Sequence, residues 1–228
     1  MLRVPNRLHL QWSGMLDETK IKISAVLFDY GMVLSGAPEA ADWRELERVL
    51  GVDEETLQAA YWKHRDAYDR GALNAQTYWE IVARDLNHPM NTGVLRALID
   101  ADTAVWTHPN AVMMEWAARL NRAGIKTGIL SNIGDAMEAA VLARFPALAA
   151  FDHHTFSHRL GIAKPDAEIY RHAVGGLGVP AAEILFVDDR EENIRAAREV
   201  GMVAVQYSGH AGFVVEMGRL GLGWLLDV

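Results

Sequence analysis

Four short apolar runs, separated by stretches with helical spacing, constrain the fold of this chain more than any other feature. Residues 23–28, ISAVLF, form a continuous apolar run rich in branched side chains, the pattern of a strand buried on both faces. KTGILS at 126–131, EILFV at 183–187 and MVAVQY at 202–207 repeat the pattern, each after a helix-like stretch. Strand alternating with helix requires parallel strands joined by crossovers, and so predicts an α/β fold with a Rossmann-like doubly wound parallel sheet. The crossovers carry their own punctuation. HPNAVMMEWAARLNRAG has Pro109 near its start, apolar residues at three-to-four spacing and Gly124 past its end, and REENIRAAREVG has acidic residues in the first turn and Gly201 as its stop.

One segment breaks this alternation. Residues 37–107 carry tryptophans and charges at helical spacing, as in ADWRELERVLG, ETLQAAYWKHRDAYDRG and NAQTYWEIVARDL, with no strand-like run. The expected organisation is therefore an extension over 1–21, a sheet domain made of 22–36 and 108–228, and a small helical domain of 37–107 inserted after the first strand. The spacing of Trp43, Trp62 and Trp79 assigns them to the packing of those helices.

Composition narrows the chemistry. A chain of 228 residues can bury one sizeable core with a smaller unit attached. A net charge of -8 argues against nucleic acid as a partner. No apolar run approaches the roughly 18 residues of a membrane span, and the first 20 residues lack the apolar centre of a signal peptide. The absence of cysteine removes disulfides, thiolate metal sites and cysteine nucleophiles, and suits a reducing, cytoplasmic setting.

In an open parallel sheet, ligands bind beyond the carboxyl ends of the strands. The polar residues collect at those ends: Asp29 after the first run, Ser131 and Asn132 after the second, Asp188 and Asp189 after the EILFV run, with Lys164 in the loop GIAKPDAEIY. Three carboxylates at neighbouring strand ends repel one another unless a cation lies among them, and an all-oxygen ligand set suits Mg²⁺.

These residues resemble the haloacid dehalogenase-like superfamily over residues 22 to about 207. FDYGMVL is similar to the first motif of that family, LSN at 130–132 to the second, Lys164 to the third and FVDDREENIRAA to the fourth, in the right order along the chain. The resemblance implies a helical cap of the C1 type, Mg²⁺ as cofactor and a small phosphorylated metabolite, of the sugar phosphate class, as substrate. By position, Asp29 would be the nucleophile that forms an aspartyl-phosphate. Ser131, Asn132 and Gly31 would bind the phosphoryl group, and Lys164 would neutralise its charge. Asp29, the Gly31 carbonyl, Asp189 and Asp188 would hold or surround the metal, with Asn193 orienting metal-bound water.

At one position the chain departs from the family pattern. Most phosphatases of the family carry a second aspartate two residues after the nucleophile, as general acid and base, and here that position is Gly31. A glycine-variant subgroup with active phosphatases shares this feature. Lys63, His64, Asp66 and Asp69 in the inserted segment are the candidates to replace the lost acid. Two alternatives stand beside the phosphatase: a metal-independent 2-haloacid dehalogenase, in which Asp29 attacks carbon, and a catalytically impaired phosphate- and metal-binding protein.

The remaining features read as structure. His153, His154 and His158 match no compact zinc spacing, GGLGVP from 175 is a helix stop rather than a dinucleotide loop, and Asp42 and Asp53 precede helical patterns as caps. The apolar tail after Tyr207 packs either on the core or against another subunit.

Overall fold

The computed structural model describes residues 21–228, so the expected N-terminal extension lies, but for Ile21, outside the described residues. Five strands, β1 (Ala25–Phe28), β2 (Lys126–Ser131), β3 (His153–Phe156), β4 (Ile184–Asp188) and β5 (Val203–Gln206), form one parallel sheet in the order β3-β2-β1-β4-β5. β1 is central, in register with β2 from Ala25 opposite Lys126 and with β4 from Ala25 opposite Ile184.

The apolar runs are continuous because both faces of the sheet are covered. Val26 and Phe28 point to one face, where α6 (Ala111–Arg122) supplies Met113, Trp116 and Leu120 and α12 (His210–Arg219) supplies Phe213 and Met217. Ala25 and Leu27 point to the other, against Ile169 and Tyr170 of α10 (Ala167–Leu177) and Ile194 and Ala197 of α11 (Glu191–Glu199). Each fully buried Val, Leu, Ile, Phe or Met among them contributes about 1.5–3 kcal/mol. Leu222 and Leu225 join the first cluster, and the Trp116 indole donates to the Leu225 carbonyl at 2.8 Å. The tail therefore packs on the core.

Between β1 and α6 the chain forms five helices, α1 (Ala40–Leu50), α2 (Glu54–Lys63), α3 (Arg65–Asp69), α4 (Ala75–Asp85) and α5 (Thr92–Trp106), with a separate core around Leu57, Tyr61, Tyr78, Trp79 and Leu98. Entry and exit lie side by side: Gly36 N–H donates to His108 O at 2.7 Å and Asn110 N–H to Leu34 O at 2.9 Å. The stretch ETLQAAYWKHRDAYDRG, uniform in sequence, is broken at His64 (φ -117°, ψ 3°), which turns α3 away from α2. Tyr68 of α3 then lies flat on the backbone of Gly134, where any Cβ would collide with its ring.

Two sequence expectations need correction. Trp79 is buried and Trp43 partly so, but Trp62, packed edge-on against the Tyr61 ring at 4.9 Å, is 50% exposed. Asp53 caps α2 through Thr56 N–H at 2.9 Å, whereas Asp42 lies inside the first turn of α1 and meets His108 Nε2 at 2.7 Å.

Candidate active site

Asp29 extends the β1 ladder by one bond, its N–H donating to Val187 O at 2.8 Å, and the chain then reverses through Tyr30–Leu34 in a kinked turn closed by Ser35 N–H donating to Tyr30 O at 2.8 Å. That turn holds Gly31 at φ -61° and Met32 at φ 59°, the left-handed region that a residue with a Cβ seldom occupies. The Asp29 carboxylate accepts the Tyr30 N–H at 2.7 Å and faces Lys164 Nζ at 2.8 Å. The same ammonium donates to Asp188 Oδ2 at 2.7 Å, so one buried cation bridges the ends of β1 and β4.

Helices α7 (Asp135–Arg144) and α8 (Pro146–Ala149) follow β2, and Lys164 lies in the loop between α9 (Ser157–Leu160) and α10, which Asn132 fixes from both sides. Asn132 Oδ1 accepts the Lys164 N–H at 2.8 Å, and its Nδ2 donates to Lys164 O at 3.0 Å. Its side chain is thus engaged with Lys164 rather than directed at a ligand. Asp188 is saturated in a similar way. Besides Lys164 it accepts Arg190 N–H at 2.8 Å and the Asn193 amide at 2.9 and 3.0 Å, which occupies the lone pairs a metal would need. Asn193 orients this carboxylate directly. Ser131 is buried at the end of β2 and lines the same space.

The electrostatics follow from burial. It pushes the Asp29 carboxyl up to about 8, with Lys164 offsetting only part of the effect and Asp188 and Asp189 adding to it. Burial works against the Lys164 ammonium too, but Asp188 and Asp29 outweigh it and hold its pKa above the ordinary lysine value. Asp189 is raised by burial and by Asp188. Carboxylate oxygens of Asp29, Asp188 and Asp189 all come within 4.8 Å of one another, the one such group among the described residues. Their oxygens form the all-oxygen donor set that suits Mg²⁺, with Asp29 and Asp189 less engaged than Asp188.

A cavity of about 530 Å³ opens above this floor, roofed by the helical unit through Trp62, Arg65, Asp66, Asp69 and Trp106. Of the candidate acids, Lys63 and His64 are directed away from it, both onto Asp85 at 2.7 and 2.8 Å. Asp66 and Asp69 line it, and burial pushes the Asp69 carboxyl up to about 6 against the pull of Arg65. The three histidines of FDHHTFSHRLG disperse: His154 meets Leu148 O at 2.7 Å, His158 meets Glu138 at 2.5 Å, and His153 packs beside the His172 ring. Sequence reasoning missed Met32 and the exposed face of Trp62, since neither a positive φ nor which of the adjacent Tyr61 and Trp62 is buried was visible in the residue pattern.

A sequence profile described as haloacid dehalogenase-like hydrolase matches residues 14–201. The chain belongs to that family. Among its relatives, a sesquiterpene phosphatase of Aspergillus oryzae is 26% identical over 86% of this chain and 95% of its own length. An enolase-phosphatase of Parvibaculum lavamentivorans is 31% identical over 74% of this chain and 66% of its own. A HAD family enzyme of Bacteroides thetaiotaomicron, solved as a complex with magnesium and inorganic phosphate, shares the fold with a TM-score of 0.68 at 19% identity, over 81% of this chain and 93% of that one. An L-2-haloacid dehalogenase of Xanthobacter autotrophicus with covalently bound chloropropionic acid shares it with a TM-score of 0.63 at 20% identity, over 86% and 83%. The protein is thus a family hydrolase with phosphatases among its relatives, built on the expected parallel sheet.

Proposed function

We propose that this hydrolase is a Mg²⁺-dependent phosphomonoesterase that acts in the cytoplasm on a small phosphorylated metabolite through a phosphorylated Asp29. The observation that carries the reading is the Lys164 ammonium held between Asp29 at 2.8 Å and Asp188 at 2.7 Å, with Asp189 close by. A buried carboxylate beside a fixed ammonium and a cation site is suited to accepting a phosphoryl group.

In this reading the sheet domain comprises 22–36 and 108–228, the helices of 37–107 form a cap of the C1 type, and Gly31 places the chain in the glycine-variant subgroup. Asp29, Asp189 and the Gly31 carbonyl would hold Mg²⁺, with Asp188 behind them because its oxygens are already engaged. Bound there, the ion would neutralise phosphoryl charge. Ser131 donates to a phosphoryl oxygen, and backbone N–H groups near Asn132 and Gly31 add further donors. Lys164 offsets negative charge as an Asp29 oxygen bonds to phosphorus and the ester P–O bond breaks. The departing oxygen needs a proton that Gly31 cannot give, and we assign that proton to Asp69, the cavity carboxyl raised toward neutrality. Water then attacks the phosphorus, releasing inorganic phosphate and restoring the Asp29 carboxylate.

A dehalogenase of the same fold shows that the scaffold also supports attack on carbon, but a cluster of three carboxylates favours a reaction that uses a cation. The test is inorganic phosphate release from a panel of phosphomonoesters, with and without Mg²⁺, in the native protein and Asp29→Asn. Mg²⁺-dependent release that disappears in the variant is expected. Chloride release from a 2-chloro acid without metal, or no turnover at all, would overturn the proposal.

A further inference from the structure

The sugar phosphate expected from the resemblance would need hydrogen-bonding walls, and the cavity walls are built otherwise. Its polar residues divide into a floor and a roof. The floor, at the strand ends, serves the phosphoryl group. On the roof Arg65 is held by Asp69 at 2.9 Å and Asp102 at 3.1 Å, and Asp66, 81% exposed, meets Arg70 at 3.1 Å, so the open polar groups there are carboxylates at one side of the cavity. Both indole N–H groups are likewise used, Trp62 on Gln58 at 2.8 Å and Trp106 on Tyr61 at 3.0 Å.

What else the walls leave open is carbon. Trp62, from the roof, is 50% exposed, and Met32, from the turn after β1, is 38% exposed, although both line the cavity. Trp106 also lines the cavity, as do Ile133 and Met137, each only 2% exposed. Met32 also sits at φ 59°, where a glycine would be free of strain, so its side chain is retained against a backbone cost. Beside it Gly31 has an ordinary φ of -61°, and a Cβ there would meet nothing within 4 Å. Its lack of a side chain is therefore not required by the turn, and it leaves room next to Asp29.

We propose that the substrate is a phosphomonoester of an apolar alcohol, whose hydrocarbon or aromatic body packs between Trp62 and Met32. The inference rests on the phosphatase reading and concerns the body of the substrate, not the chemistry at phosphorus. A polyol placed there would bury hydroxyls against carbon without partners, whereas an apolar body gains by leaving water.

The test compares three esters of primary alcohols, whose leaving oxygens are of similar basicity: 2-phenylethyl phosphate, octyl phosphate and glucose 6-phosphate, each with Mg²⁺ and the full chain. We expect kcat/KM for the two apolar esters to exceed that for glucose 6-phosphate by at least about tenfold. Trp62→Ala and Met32→Gly should each reduce that ratio severalfold, mainly through KM for the apolar esters. Met32→Gly relieves the positive φ and keeps the test sound if loss of the indole harms folding. Equal or faster turnover of glucose 6-phosphate, or a ratio unmoved by both substitutions, would overturn the substrate class and leave the phosphatase reading standing. Release from none of the three would overturn both.

Discussion

Replacing Lys164 by methionine removes the ammonium that joins β1 to β4 while nearly preserving side-chain volume. The lysine side chain is 2% exposed and that of Asp188 is fully buried, so neither partner can turn to water. Breaking a buried pair by deleting one member costs about 3–5 kcal/mol. Asp188 keeps its bonds from Arg190 N–H and Asn193, which places the expected loss at the low end, about 3 kcal/mol. At about 2–4 °C per kcal/mol for a chain of this size, the thermal midpoint should fall by roughly 6–12 °C. The loss should also depend on pH. The Asp29 carboxyl, pushed up to about 8 in the folded chain, keeps a proton that the unfolded chain gives up. Its contribution to stability is fully present below about pH 4 and is lost as the pH rises through 8. Lys164 moderates that loss by favouring the carboxylate, so Lys164→Met should be penalised more at pH 8.5 than at pH 5.5. Urea unfolding with a chelator present, at both pH values, measures each number, and added Mg²⁺ should restore part of the stability at the higher pH. A loss below about 1 kcal/mol at pH 8.5, or one larger on the acid side, would refute the reasoning.

Gly31→Asp should leave the thermal midpoint nearly unchanged, because the backbone there is ordinary and a Cβ meets nothing within 4 Å, and should raise kcat about tenfold or more by adding a second acid beside Asp29 to the one supplied by Asp69. Asn132→Ala should lower kcat at least about tenfold by freeing the Lys164 backbone, with little change in KM for any ester. Asp69→Asn should slow esters of alkyl alcohols roughly 10²-fold and aryl esters, whose leaving groups need no proton, far less. Equal losses for the two ester types would remove Asp69 from the role of acid.

The sheet was legible in the sequence where strands are buried on both faces, since ISAVLF and EILFV have nothing else to become. β3 was harder to see. It is an edge strand paired only with β2, its residues His153 and His154 are half-buried, and four residues with two histidines carry no apolar signature. The residues at the strand ends could be located because an aspartate ending an apolar run has few structural reasons to be there. How they engage one another was not legible. That Asn132 serves Lys164, or that Asp188 is already saturated, depends on loops meeting across the sheet, and Asn132 and Lys164 are 32 positions apart. Trp62 illustrates the limit of periodicity. Its helical spacing matched a core position, but on α2 it is the adjacent Tyr61 that is fully buried, while Trp62 lines the cavity half-exposed.

The strand order has a consequence for how the protein is made. β1 is central, yet its partners β2 and β4 begin at positions 126 and 184, while the core of the helical unit draws its buried residues from positions 46 to 105. At about 5–20 residues per second, a ribosome needs roughly 8–30 s after completing β1 to supply β4. During that interval the helices between α1 and α5 have everything their own core requires, but β1 waits with its β4 edge unpaired throughout, its β2 edge unpaired until residue 131 and Asp29 alone until residue 164. No fragment that ends before residue 164 can pair Asp29 with Lys164, and none that ends before residue 188 can add Asp188 to that pair. Until then, an apolar strand with an open edge is the segment of the growing chain most exposed to aggregation and to chaperones.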